Sequence, residues 1–397
     1  MRASSLAFAC LAVRCSKMSE RLATFMGAFS GVIEPGEGSA VSRALPARRI
    51  LILDPACSSC LHDLQAAGFE VTAEQGLSNC DLEHVLQTNS YDAVVVRSAN
   101  QISRSMLVSS SRLAVVGRAG SGVDNIDLVA AAELGVPVVN SPTGNTRSVA
   151  ELVFGLMLGI SRSIPEAHAT LQRGEWAKSR FNGHTLAGKT LGVIGFGSVG
   201  QELARMAIGF GMAVLIANQS SSSIAGNEDQ RAAVASEIGV KGPLSLDDIL
   251  SQSDFLSVHV PLTLDTRGFI GKLELAKMKS SAVVINAARG GVIDEQALLA
   301  ALERGQLGGA ALDVFEKEKA PLENHIVRLC RFPNVICTPH IGGSTEEAGE
   351  RVLGEVCCAV VGVLDGTLPP ERVVSGNARE SLRRSRERLG LPPSATL

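Results

Sequence analysis

Leu191-Gly-Val-Ile-Gly-Phe-Gly-Ser-Val-Gly-Gln-Glu-Leu-Ala-Arg205 is the stretch from which the fold can be read. Leu191 to Ile194 form a short apolar run that suits a buried strand, and Gln201 onward suits a helix; Gly195-x-Gly197-x-x-Gly200 lies between them. The glycine spacing alone is a weak signal, but between a strand and a helix it has a physical use. Gly195 allows the tight turn, Gly197 lets backbone approach a pyrophosphate, and Gly200 permits close helix–sheet packing, while the helix N-terminus carries partial positive charge. The expectation is a dinucleotide-binding loop.

Outward from this loop the chain alternates strand and helix. Five further apolar runs follow it, at residues 213–217, 255–260, 282–286, 309–314 and 335–338. Upstream, runs at 50–54, 91–97, 113–117 and 136–140 are separated by helical stretches such as 61–67 and 105–110. Such alternation predicts α/β architecture: a doubly wound, Rossmann-type parallel sheet and a smaller, flavodoxin-like parallel-sheet domain, with ligand in a cleft between the domains. Ser148-x-x-Glu151 has capping-box spacing and predicts the start of a linking helix running to Ile164; Ser344-x-x-Glu347 predicts a final helix to about Leu364. The expected division is a substrate domain over 47–143 completed by 339–376, a nucleotide domain over 144–338, and a disordered Arg- and Ser-rich tail over 377–397.

Composition narrows the function. The chain has 397 residues, 45% of them apolar, so it can bury an ample core. Aromatic residues make up only 4%, which leaves Val, Ile, Leu and Ala to fill that core. A formal charge of -3 with scattered Lys and Arg gives no footprint for nucleic acid or an acidic membrane surface. No apolar run approaches the roughly 18–20 residues of a membrane span. Nine cysteines show no framework spacing and read as free thiols. Cys57-Ser-Ser-Cys60 lacks a second pair to complete a zinc site, so no metal is expected. Residues 1–46 hold Arg2, Arg14 and Lys17 before the first acid, Glu20, followed by a Gly/Pro/Ser stretch. This composition predicts a removable leader that addresses an organelle, plastid or mitochondrion, over a disordered cytosolic extension.

Three side chains at later strand ends carry the chemistry. His340, in Thr338-Pro-His-Ile-Gly-Gly343, is suited to general acid–base work on a carbonyl oxygen as hydride arrives. Glu318 can hold the other ring nitrogen. Arg289, in Asn286-Ala-Ala-Arg-Gly-Gly291, can fork two donors onto a substrate carboxylate. Each alone also reads as a surface charge or a helix-start residue; their succession after a dinucleotide loop favours the catalytic reading. His259 follows a strand and either contacts cofactor or packs locally, whereas His62, His84, His168, His184 and His325 have no motif around them. About 20 residues beyond the glycine loop, a carboxylate ordinarily grips the ribose and repels a 2'-phosphate. Asn218 stands there, followed by Gln219 and Ser220 to Ser223 with no immediate Arg. NAD is the expected cofactor, with NADP not excluded.

Val116-Gly-Arg-Ala-Gly-Ser-Gly-Val-Asp-Asn-Ile-Asp127, Asn145-Thr-Arg-Ser-Val-Ala-Glu151, Gly188 to Gly197, Asn286 to Gly291, Gly309-Ala-Ala-Leu-Asp-Val-Phe315 and Pro339 to Ser344 together resemble the D-isomer-specific 2-hydroxyacid dehydrogenases over roughly residues 49–377. The resemblance implies that Arg289 binds substrate and that Glu318 and His340 form the proton relay. It assigns cofactor contacts to Ser121, Ser198, Val199, Asn218, Val260, Ala287, Ala288, Asp313, Gly342 and Gly343. It assigns a phosphorylated substrate to Arg97, Ser98, Arg118 and Gly120, with Lys178 reaching across a homodimer.

The implied activity is NAD-dependent oxidation of 3-phosphoglycerate to 3-phosphohydroxypyruvate, the entry to serine synthesis. Two alternatives stay open: a hydroxypyruvate or glyoxylate reductase using NAD(P)H, and a dinucleotide-sensing binding protein of corepressor type. The sequence departs from the family pattern at Asn218, where Asp is usual, and at Lys319, where Pro is usual. It also stops too soon after Asn377 for a regulatory small-molecule domain, so no serine feedback through one is expected.

Overall fold

The computed structural model describes residues 48–53, 58–217 and 228–392. Residues 1–46, Cys57 and Asn218 to Ser223, on which the leader, Cys-x-x-Cys and ribose-contact expectations fall, lie outside the described residues. The chain forms two compact units: Thr146–Thr345 is one, and the segments before and after it make the other.

The split unit holds five parallel strands, β1 (Arg49–Leu53), β2 (Glu70–Glu74), β3 (Ala93–Val96), β4 (Val115–Arg118) and β5 (Val138–Asn140), in the order β2-β1-β3-β4-β5. That is the flavodoxin-like order. β3 is buried at all four positions, as a strand covered on both faces must be. β2, absent from the sequence expectation, is an edge strand with largely accessible residues, so it carries no apolar run to announce it. The helix Glu346–Leu364 returns to this sheet and buries Val352, Leu353, Val356, Ala359, Val360 and Val363 at helical spacing.

The expectation of a disordered tail is overturned. Ala378–Arg388 is a helix, and its polar composition conceals what its arginines do. Arg383 and Arg384 pair with Glu380 on the same helix. Arg384 also donates to Glu133 O, Arg386 to Gly366 O and Arg388 to Gly135 O at 2.9 Å, so the guanidiniums satisfy carbonyls at the ends of other helices. Leu382 and Ser385 are buried, and Ser385 Oγ donates to Ala114 O at 2.8 Å.

The other unit has seven parallel strands: β6 (Thr190–Ile194), β7 (Ala213–Ala217), β8 (Lys241–Leu244), β9 (Phe255–Val258), β10 (Val283–Asn286), β11 (Gly309–Leu312) and β12 (Val335–Cys337). Their order, β12-β11-β10-β9-β6-β7-β8, places the reversal of direction between β6 and β9. This is the doubly wound nucleotide-binding topology, in which the crevice opens at the carboxyl ends of the two strands flanking the reversal. β8, the strand the sequence did not show, contains Gly242-Pro243 and is tolerated because it is an edge.

Two boundaries differ from expectation. The linking helix starts at Thr146 rather than Ser148, and no capping box forms: Ser148 Oγ bonds Thr345 Oγ1 at 2.9 Å, while Glu151 accepts from Arg147 Nε at 2.6 Å. The second crossing between units falls at Thr345 rather than near Thr338, so the His340 loop stays with the seven-stranded sheet. Among the described residues no single helix is long and apolar enough to cross a membrane. The bent pair Thr146–Ser161 and Ile164–Gln172 passes such a test by length and composition, but Val149, Val153, Phe154, Leu156 and Met157 of it are buried core.

Candidate functional site

The glycine loop lies at the reversal point. Gly195 follows β6 with φ +100°, and a Cβ there would sit 2.4 Å from His259 O, the residue after β9. A Cβ on Gly200 would sit 2.2 Å from Gly195 O. Both positions exclude any side chain because neighbouring backbone occupies the space. Gly197 is different: a Cβ there meets nothing within 4 Å, so its lack of a side chain serves space that the protein leaves open. The helix Ser198–Gly209 begins immediately, with no side chain capping its first turn. An open cradle facing uncapped backbone donors fits a pyrophosphate. Val260 is buried and adjoins Gly195.

Arg289, Glu318 and His340 come from the carboxyl ends of three adjacent strands, β10, β11 and β12. The Arg289 turn is built by Asn286, which is buried: its Nδ2 donates to Arg289 O at 2.9 Å and its Oδ1 accepts from Ala288 N at 3.1 Å. Arg289 NH1 donates to Ala288 O at 2.7 Å. The next residue, Gly290, packs on the strand-β11 loop so closely that a Cβ would lie 1.9 Å from Phe315 C. The loops bearing Arg289 and Glu318 therefore touch through backbone.

His340 Nδ1 donates to Glu318 Oε2 at 2.7 Å, with both side chains about 40% exposed (42% and 38%). Burial alone would raise the Glu318 pKa. The bond from His340, its charge, the Phe315 N–H and the Arg289 guanidinium outweigh burial and hold Glu318 below the usual carboxylate range. With Nδ1 committed to a carboxylate, Nε2 is the nitrogen left to give or take a proton.

His340 has φ +54°, a conformation non-glycine residues seldom adopt. Asp313, at the end of β11, holds it there. Its buried carboxylate accepts from Thr338 Oγ1 at 2.6 Å, Ile341 N at 2.8 Å and Gly342 N at 2.8 Å, while its backbone carbonyl accepts from His340 N at 2.8 Å. Asp313, expected at the cofactor, thus has both oxygens engaged by the loop, and Gly342 is buried against it, with Gly343 partly accessible beyond. Ala287 is buried and Ala288 lies in the Arg289 turn.

In the five-stranded unit, Arg97 and Ser98 follow β3, and Arg118, Gly120 and Ser121 end or follow the adjacent β4, whose Arg118 pairs in register with Val96. Asn125 Nδ2 donates to Arg97 O at 2.8 Å and Asn140 Nδ2 to Ser121 O at 2.6 Å, which fixes both loops. Lys178 is exposed in the short turn Lys178–Arg180.

Sequence reasoning missed Asn286 as the builder of the Arg289 turn, although an Asn ending a strand three residues before an Arg is a usable signal. It also missed a buried pair, Glu295 with His325, because nothing in sequence links positions 30 apart. His259 rests with Nε2 2.8 Å from Ser257 Oγ, and desolvation pushes its pKa down to about 4.

Residues 154–342 match a family model described as D-isomer specific 2-hydroxyacid dehydrogenase, NAD binding domain. The chain is 42% identical over 327 residues to a D-3-phosphoglycerate dehydrogenase of Methanocaldococcus jannaschii, covering 82% of this chain and 59% of that one. It is 43% identical over 278 residues to a chloroplastic D-3-phosphoglycerate dehydrogenase of Arabidopsis thaliana, covering 70% and 45%. The chain thus spans about half the length of these curated relatives. Among solved structures, the TT0316 protein of Thermus thermophilus superposes with a TM-score of 0.70 at 30% identity, covering 81% of this chain and 98% of that one.

Proposed function

The chain belongs to the D-isomer specific 2-hydroxyacid dehydrogenase family, and from that premise we propose that it oxidises 3-phosphoglycerate to 3-phosphohydroxypyruvate with NAD. The observation that carries the reading is the 2.7 Å His340–Glu318 pair on strand ends beside the Arg289 turn. NAD, when bound at the Gly195–Gly200 cradle, supplies the acceptor for the substrate's C2 hydride. Arg289 grips the substrate carboxylate and orients C2. His340 Nε2 takes the C2 hydroxyl proton, and Glu318 stabilises the imidazolium that forms. In reverse, the imidazolium returns that proton to the carbonyl oxygen.

The substrate phosphate is assigned to Arg97 and Arg118, at the carboxyl ends of the adjacent strands β3 and β4, where two guanidiniums suit a dianion. Asn218 supports a second reading, a hydroxypyruvate or glyoxylate reductase accepting NADPH, because the charge that repels a 2'-phosphate is gone. A spectrophotometric panel of phosphohydroxypyruvate, hydroxypyruvate and glyoxylate against NADH and NADPH separates them. The first reading requires the phosphorylated substrate with NADH to be fastest, and R97A or R118A to impair only that substrate. Hydroxypyruvate with NADPH as the best pair would replace it with the second.

We also propose a homodimer and an organellar address. Ile164, Leu171 and Trp176 are 53%, 55% and 83% exposed just before Lys178, apolar side chains that a partner subunit would cover. Light scattering that gives one chain's mass would remove the dimer. Residues 1–46 have leader composition, and a relative is described as chloroplastic; an unprocessed N-terminus on protein from the organelle-bearing source would remove the address.

A further inference from the structure

The loop from Leu312 to Asn324 carries Glu318, and it is fixed in its middle by groups outside the Arg289, Glu318 and His340 set. Glu295, in the first turn of the helix Glu295–Glu303, is only 8% exposed at its side chain. Its Oε1 accepts from Glu316 N at 2.7 Å. Its Oε2 accepts from His325 Nε2 at 2.7 Å, and the His325 side chain is only 11% exposed. The other His325 nitrogen lies 3.5 Å from Glu323 Oε2, and Glu323 Oε1 holds Lys317 Nζ. A chain of contacts therefore leaves the loop at Glu316, passes through Glu295, His325 and Glu323, and rejoins the loop at Lys317.

The anchored peptide is the one that fixes the relay. Phe315 N donates to Glu318 Oε1 at 3.3 Å, and the Phe315–Glu316 peptide lies against Gly290, beside Arg289. Gly290 presses on this peptide and Glu295 holds its N–H. A carboxylate buried this deeply needs partners on both oxygens, and it has them.

We infer that Glu295 and His325 are a positioning pair that sets the Glu318 carboxylate at hydrogen-bonding distance from His340, and so tunes the relay without touching substrate. The inference rests on the relay reading above. Other charged groups facing this region are Arg267, paired with Glu316 at 2.7 Å, and Arg289 near Glu318. Cys337 also faces Glu295, but burial and the neighbouring Cys330 raise its pKa and keep its thiol protonated.

The test uses full-length protein carrying carboxyl-labelled glutamate, whose Glu318 signal is the one missing from E318Q, and follows its NMR titration in wild type, E295A and His325→Leu. E295A is expected to raise the Glu318 midpoint toward the ordinary carboxylate range, because burial pushes it up and the displaced carboxylate loses the His340 bond that holds it down. It should also cut kcat about tenfold while NADH affinity stays within twofold. E295Q keeps one oxygen able to accept from Glu316 and should recover most of the kcat. If E295A does not fold, His325→Leu decides, since it leaves the carboxylate and removes only its lock. An unchanged midpoint in the folded variants overturns the inference. A wild type that fails to reduce phosphohydroxypyruvate sinks the substrate reading instead, and the titration still decides the positioning role.

Discussion

Gly197 and Gly200 sit three residues apart in one loop, yet the structure gives them opposite reasons to be glycine. At Gly200 the space a methyl would need is filled by Gly195 O at 2.2 Å, and backbone cannot swing aside as a flexible side chain can. G200A should therefore cost about 2–3 kcal/mol in overpacking. For a unit of this size, Thr146–Thr345, each kcal/mol is about 2–4 °C, so the melting temperature should fall by about 4–12 °C. At Gly197 nothing lies within 4 Å, and the only intrinsic cost is that alanine caps a helix less well than glycine, about 0.5–1 kcal/mol. The G197A melting temperature should stay within about 4 °C of wild type. Its methyl, however, enters the space assigned to the pyrophosphate, so NADH affinity should fall at least tenfold, about 1.4 kcal/mol. Calorimetry and NADH fluorescence titration on the same samples read both quantities. A G197A protein that binds NADH within twofold of wild type would refute the assignment of that space, and a G200A protein as stable as wild type would refute the packing argument.

D313A removes the acceptor for Thr338 Oγ1 and two loop N–H groups, so it should lose about 3–5 kcal/mol and most of kcat together; D313N keeps one oxygen and should lose less, and equal melting temperatures for all three proteins would contradict this. His259 is held neutral by burial, so above about pH 6.5 it contributes no pH dependence, and as pH falls from there toward about 4 the unfolded chain gains a proton the folded one refuses. Stability should decline by on the order of 2–3 kcal/mol across that window, and H259Q should lack this component; matching pH profiles would exclude it. A chain ending at Gly376 loses the buried Leu382 and the guanidinium contacts to Gly135 O and Gly366 O. It should melt several degrees lower, with R388A between it and wild type, whereas an unaltered melt would show the last helix to be dispensable.

What the sequence shows most clearly is whatever burial and backbone geometry force into a local pattern. β6, the glycine loop and the helix after it lie within 20 residues and each obeys its own periodicity, so the nucleotide fold is legible there. The candidate catalytic residues stand out because they follow three successive apolar strands, β10, β11 and β12. The edge strands β2 and β8 are not legible, because their residues are mostly accessible and carry no apolar run, unlike the edge strands β5 and β12. Ser148 shows how a correct motif can misplace a boundary, since Thr345, nearly 200 residues away, competes for the hydroxyl. The Ala378–Arg388 helix fails for a related reason, because arginines that bond distant carbonyls look the same in sequence as arginines in water. The three loop donors on Asp313 and the Glu295–His325 pair are visible only in three dimensions.

The central claim is that His340, held by Glu318, moves the proton that accompanies hydride transfer. Single-turnover oxidation of bound NADH by phosphohydroxypyruvate, compared between wild type and H340N, tests it most directly. H340N is expected to bind NADH as tightly as wild type and to react about 10² to 10⁴ times more slowly. An H340N protein that turns over at a tenth of the wild-type rate or faster would contradict it.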